Sequence, residues 1–234
     1  MRKILEFYST TVGKKVVAAV TGIILFLFLI AHMGGNLRAF AGKAASGEHK
    51  LDIYARHLRE IGEVMVGHRT VLWGVRIVLL FAFLLHIITV IQLYLRNKKA
   101  REVPYQSSLR RDASTFASRT MIFSGAVLFL FVVYHLCHLT FGTLHFHGFE
   151  EGKVYSNVYN AFIHPLPTII YLVALVFVSF HLYHGIWSIF QSLGLNTERC
   201  NDSYRKIAIV LAFLITAGFA SVPLAVFLRA LPPP

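Results

Sequence analysis

Residues 13–37 read GKKVVAAVTGIILFLFLIAHMGGNL, two lysines followed by an apolar run that gives way only at Gly34, Gly35 and Asn36. The run of about 22 residues over 16–37 is long enough to cross a hydrocarbon core of roughly 30 Å as a helix. No A-x-A-like site follows it, so it reads as a retained helix and not a signal peptide. The one ionisable residue within it is His32. An imidazole in lipid is costly and usually faces a cofactor, a cavity or another polar group.

Four further runs share that length, at 70–95, 120–141, 166–190 and 206–229. The predicted fold is an all-α membrane protein of five transmembrane helices, one integral membrane domain over 1–234 with the lipid bilayer as its solvent. Composition agrees: the chain is 56% hydrophobic and 15% charged, against about 45–50% and about 25% for soluble domains. The formal charge of +12 comes from 23 Lys and Arg against 11 Asp and Glu. These bases lie between apolar runs and not along one amphipathic face, which argues against a nucleic acid partner. Cys137 and Cys200 form neither a CxxC pair nor a CxxCH motif, so any haem here is non-covalent.

The turn formers and charges collect in the connections 42–69, 97–119, 142–165 and 194–205. Within 46–63, Leu51, Ile53, Tyr54, Leu58 and Ile61 recur at near-helical spacing, and a short interfacial helix and a solvated loop both fit that pattern. The proline tail at 232–234 is expected to fray. Arg2, Lys3, Lys14 and Lys15, together with Arg96, Lys98, Lys99, Arg101, Arg110, Arg111 and Arg119, set the N-terminus and the second connection on the cytoplasmic side. The third connection, with Lys153 beside Glu150 and Glu151, suits the outside, while the first, outside in this scheme, is basic against the rule. The second connection is a topology signal first and a surface for a soluble partner or lipid headgroups second.

Of the 12 histidines, His32, His86, His135, His138, His181 and His184 fall within spans one to four, and none falls on the fifth. His32, His86, His135 and His181 each stand about sixteen residues into their helices, which is roughly 24 Å of rise. Because helices one and three run outward and two and four inward, His32 pairs with His135 in the outer half and His86 with His181 in the inner half. Two imidazoles from facing helices are what a six-coordinate haem b requires. A depth offset of some ten residues puts two such irons on the order of 15 Å apart. Gly22, Ala31, Gly34, Gly35, Gly125 and Gly185 leave room for a flat macrocycle. His138 and His184 each lie three residues beyond a candidate, and spacing alone does not choose between the members of each couple. Arg76, near the outer end of helix two, is suited to snorkel or to meet a propionate of the outer haem. His145 and His147, in HFHGFEEG, lack a third or fourth ligand and read as solvated.

Four strings in order then carry a resemblance: SxxxGKKVVAAVTGIILFLFLIAHMGGNL at 9–37, FLLHIITVIQLYLRNKKARxV at 83–103, SRTMIFSGAVLFLFVVYHL at 118–136 and HLYHGIWSIFQSLG at 181–194. Over nearly its whole length the chain resembles the cytochrome b subunit of the two-haem, single-anchor succinate dehydrogenases and fumarate reductases. In that family the ligands of helices one and three follow a glycine by ten residues, as Gly22 to His32 and Gly125 to His135 do. The helix-four ligand precedes a glycine by four and an aromatic by six, as His181 stands to Gly185 and Trp187. The resemblance thus favours His135 over His138 and His181 over His184, in a haem-binding bundle of helices one to four. It also implies an iron-sulfur subunit, a flavoprotein carrying FAD, and a membrane quinone of the menaquinone type in the cell's inner membrane. Succinate would react in the flavoprotein, and this chain would serve electron transfer and quinone chemistry within the enzyme. Some members carry a helix-four glutamate two residues before the ligand, where this chain has Ser179, so the proton path tied to that glutamate is not expected. Ser9, Thr10, Lys14 and Gln191 near the inner face, and Asn36, Arg38 and His68 near the outer, are polar candidates for quinone contact.

Three other readings compete. The membrane cytochrome b of a hydrogenase or formate dehydrogenase also places histidines on a small bundle, but the four-string order argues against it. A di-iron hydroxylase needs clustered HxxxH and HxxHH boxes, and a transporter without redox function predicts no haem.

Overall fold

The computed structural model describes residues 2–100, 116–146 and 148–234. Arg101, Arg110 and Arg111 of the second connection, the side chain of Arg119, and His147 lie outside the described residues. The helices are α1 (Arg2–Ser9), α2 (Thr11–Asn36), α3 (Lys50–Glu60), α4 (Glu63–Val66), α5 (Thr70–Lys99), α6 (Phe116–His135), α7 (Val154–Phe162), α8 (Pro165–Ser192) and α9 (Asn201–Phe227). A 3-10 turn, Leu37–Ala41, continues α2, and a π turn, Leu136–Thr140, continues α6.

Five helical stretches are long and apolar enough to cross a membrane: Thr11–Ala41, Thr70–Lys99, Thr120–Thr140, Pro165–Ser192 and Asn201–Phe227. They coincide with the five predicted runs and extend most of them by a few polar residues. Caps, not hydropathy, set those ends. At α2 the Thr10 hydroxyl accepts the Gly13 N–H at 2.9 Å, and at α8 Pro165 occupies the first turn, where a missing N–H breaks no helical bond.

The helices pack in two couples, α2 on α5 and α6 on α8, with α9 laid along α8 and also touching α2. Among the described residues α5 and α6 do not pack along their lengths. Phe83 and Phe129 bridge them as a ring stack at 6.2 Å. One apolar core joins Leu182, Ile186 and Trp187 of α8 to Ala208, Ala212 and Ile215 of α9, with Phe26, Leu29 and Met33 of α2 packed against it. A Cβ at Gly218 would lie 2.3 Å from Met33 Sδ, so any side chain there would force Met33 to move.

A second core closes the end that the charge pattern assigns to the outside, from Ala39, Leu51, Tyr155, Tyr159, Phe162, Tyr171, Val226 and Leu231. The ambiguous 46–63 stretch forms helix α3 here, with Leu51 and Asp52 buried. Asp52 Oδ1 accepts the N–H of Tyr155 at 2.8 Å and so caps α7, a helix the sequence reading left inside a connection. The tail does not fray as expected at Pro232, whose carbonyl accepts the Tyr155 hydroxyl at 2.7 Å. The basic excess of the first connection is partly matched: Arg56 makes two hydrogen bonds to Glu48 at 2.7 and 2.9 Å, and Arg69 lies 3.7 Å from Glu151.

Candidate functional site

On α5, His86 turns its ring toward α2. Its Nδ1 lies 3.1 Å from Thr21 Oγ1 and 3.1 Å from the Ala18 carbonyl. A carbonyl only accepts, so Nδ1 carries the proton and Nε2 keeps a free lone pair. The Thr21 hydroxyl donates its own proton to the Val17 carbonyl at 2.8 Å, which leaves its oxygen as acceptor. On α8, His181 repeats the arrangement: its Nδ1 lies 3.2 Å from Ser124 Oγ, and Ser124 donates to the Met121 carbonyl at 3.0 Å. Each ring also lies over a glycine. A Cβ at Gly22 would stand 3.5 Å from His86 Cε1, and one at Gly125 would stand 3.7 Å from His181 Cε1. His181 stands within electrostatic reach of His86.

Toward the other end, His32 of α2 and His135 of α6 meet with ring centroids 5.9 Å apart at 84°. That distance and angle are those of an edge-on pair of aromatic rings. His32 stacks on Phe28 at 5.3 Å and touches Phe219 of α9 at 5.8 Å. The fifth helix therefore packs, as its lack of histidine suggested, and also forms one wall beside His32.

The Tyr171 hydroxyl stands 3.0 Å from His135 Nδ1 and 3.1 Å from His138 Nδ1. It has one proton to give. That proton goes to only one of the two imidazoles, and the other donates to the hydroxyl; the Nε2 of His138 is buried without a hydrogen-bond partner. His138 is also wedged between Tyr134 at 5.2 Å and His145 at 5.3 Å, both stacked on its ring. His184 has a buried Nδ1 without a hydrogen-bond partner and meets Trp187 edge-on at 6.0 Å. His184 therefore lacks an Nδ1 anchor, whereas His138 shares the Tyr171 hydroxyl with His135 and is set apart by the rings stacked on it.

Other candidates scatter. Arg76 is exposed, its guanidinium 5.1 Å from the Trp73 ring centre. His145 Nε2 meets the Asn157 carbonyl at 2.9 Å. Arg38 lies 5.7 Å from the Tyr54 ring, and His68 pairs with Glu63 at 3.2 Å. Thr10 is occupied as the α2 cap, and the Ser9 hydroxyl donates to the Glu6 carbonyl at 2.6 Å. Sequence reading missed Thr21, Ser124 and Tyr171, although the hydroxyl residue directly before each of Gly22 and Gly125 was a signal for the first two.

The residues fit a flat, non-covalent macrocycle on three counts. The lone pairs of His86 and His181 are free while their opposite nitrogens are held. Among the described residues α5 and α6 meet at the Phe83–Phe129 stack and do not pack along their lengths. Open space surrounds Gly34 and Gly185, where an added Cβ would meet nothing within 4 Å. Gly35 does not contribute as expected, because a Cβ there would lie 2.8 Å from Tyr54 Cε1 and the tyrosine fills that room.

Neither a curated protein nor a solved structure matches the chain. The family model of the succinate dehydrogenase/fumarate reductase transmembrane subunit matches residues 96–220, more than half of the chain, with one member of each histidine pair inside that stretch. The chain therefore belongs to the family of succinate dehydrogenase/fumarate reductase transmembrane subunits.

Proposed function

We propose that this chain is the di-haem b anchor of a succinate:quinone oxidoreductase. His86 and His181 hold the inner haem, and His32 and His135 hold the outer one. The observation that carries this reading is the matched anchoring of His86 by Thr21 and His181 by Ser124, at 3.1 and 3.2 Å. Such anchoring fixes the ligating tautomer and raises the basicity of the other nitrogen. Bound there, the two haems would relay single electrons between a soluble iron-sulfur partner and a membrane quinone.

The chain's own residues supply position and surroundings. Gly22 and Gly125 lie beside the two inner imidazoles, where a larger side chain would crowd them, and Phe28 and Phe219 border the His32 ring. The Tyr171 hydroxyl is shared by His135 and His138. Arg76 lies within α5 near its outer end, and we assign it to a propionate of the outer haem. Ser179 carries no proton across the membrane, so protons for a quinone reach it from groups at the rim. Succinate oxidation belongs to an FAD-bearing partner joined through the iron-sulfur subunit, in the cell's inner membrane, with menaquinone as acceptor.

Purification from the native membrane tests the assignment. An FAD protein and an iron-sulfur protein should come with the chain, and the assembly should reduce a menaquinone analogue at the expense of succinate. A nickel or molybdenum partner in their place would overturn it.

A further inference from the structure

Lys14 lies two turns from Thr21 on the same stripe of α2, and it is buried, with 5% of its surface exposed. Lys14, Ala18 and Thr21 recur at helical spacing and face His86, Thr89 and Gln92 of α5, so the lysine belongs to the seam that anchors the inner histidine. At 1.5 Å of rise per residue it sits on the order of 10 Å from Thr21 along the helix, toward the inner end.

Its partners are all neutral. The ammonium donates to Gln92 Oε1 and lies 3.8 Å from the centre of the Tyr8 ring. The Tyr8 hydroxyl stands 3.1 Å from Gln92 Oε1 and 3.1 Å from Thr89 Oγ1. Ion pairs among the described residues join Arg2 to Glu6, Arg56 to Glu48, His68 to Glu63 and Arg69 to Glu151, and none involves Lys14. A buried ammonium without a counter-ion is among the more costly arrangements in a protein. Its place in the first turn of α2 adds to that cost, because the helix dipole there favours anions and opposes cations.

We infer that Lys14, held by Gln92 and Tyr8, is the anion-binding group of the inner site and takes a carboxylate of the tetrapyrrole ligated by His86 and His181. The inference rests on the haem reading given above. An ammonium is suited to this as a compact point charge with three donors, of which Gln92 uses one. The carboxylate would provide the countercharge that the chain lacks. Lys14 is thus a positioning residue, which sets the orientation of the inner group and the field around it.

Redox titration of the purified, quinone-depleted complex tests this, each haem being followed in its own absorption band. Lys14→Gln should shift the inner midpoint to more negative values and make it more pH-dependent, since a carboxylate without its cation takes up a proton on reduction. The outer midpoint should stay in place, and Lys14→Arg should restore the inner one. An unchanged inner midpoint, or an equal shift of both, overturns the inference while leaving the two-haem reading intact. A shift seen only after menaquinone is added back also overturns it, since the anion is then a quinone oxygen. If Lys14→Gln fails to assemble, infrared difference spectra with isotope-labelled propionates give the answer: Lys14→Arg should move an ionised carboxylate band, and an unmoved band overturns the inference. A wild-type complex without haem overturns both readings.

Discussion

Ser124 Oγ stands 3.2 Å from the Nδ1 of His181, within hydrogen-bond distance. That contact has a counterpart at Thr21 and His86, and the two together show an internal repeat. Each of α2 and α6 carries a hydroxyl residue, then a glycine, then its own histidine ten residues on: Thr21, Gly22 and His32, and Ser124, Gly125 and His135. Each step anchors a histidine of the companion helix and presents one of its own at the opposite depth. The couples α2 with α5 and α6 with α8 therefore repeat one arrangement, a hydroxyl of one helix beside an imidazole of its companion.

Removing the Ser124 hydroxyl leaves the His181 Nδ1–H without an acceptor in a dry site. Ser124→Ala should weaken retention of the inner haem by about 10- to 100-fold and shift its midpoint to more positive values, because the ligand loses basicity. Haem retention during dilution in detergent measures the first effect and redox titration the second. If both stay at wild-type values, Ser124 plays no part in ligation.

At Gly125 the available room is set by the His181 ring, 3.7 Å from where a Cβ would stand. Alanine there should therefore be tolerated, as ordinary contact. Gly125→Leu should push the imidazole off its Ser124 anchor and lose the inner haem band while keeping the outer one. Both bands surviving in reduced-minus-oxidised spectra of the leucine variant would count against the pairing.

The five spans were legible because hydropathy over twenty residues is a strong signal, and the meeting of His32 with His135 was legible because chain direction converts position into depth. The short helices α1 and α7 were not. Each is under ten residues and is held by contacts from elsewhere, α7 by the Asp52 cap and α1 by Tyr8 reaching Thr89 and Gln92 on α5. The choice of His135 over His138 rests on the family resemblance, and the Tyr171 hydroxyl that both imidazoles share, 33 residues from His138, leaves no trace in local spacing. Tyr54, expected only as one apolar position among several, fills the space beside Gly35 because α3 folds back over the end of α2.

His49, outside the spans, offers a pH test of the outer cap. It is buried and stacks on Tyr155 at 3.5 Å, and neither ring nitrogen has a hydrogen-bond partner. Burial first, then the Lys43 charge, hold its pKa below the ordinary 6.5, with Asp52 opposing them. The unfolded chain therefore binds the proton more readily. The contribution of His49 to stability is fully present above 6.5 and is lost as pH falls from there toward the lower folded value. Between about pH 7.5 and about pH 5.5 the melting temperature of the wild type should drop further than that of His49→Phe, which keeps the stack without titrating. Equal drops in the two proteins would remove His49 from the account.

The central claim, two bis-histidine haems on one chain, is tested most directly by the haem b-to-chain ratio of the purified complex and its histidine variants. The account predicts a ratio of two for the wild type. His32→Ala and His135→Ala should lose one and the same haem, His86→Ala and His181→Ala should lose the other, and His138→Ala and His184→Ala should keep both. A wild-type ratio of one or none, or a full complement in His181→Ala with loss in His184→Ala, would contradict it.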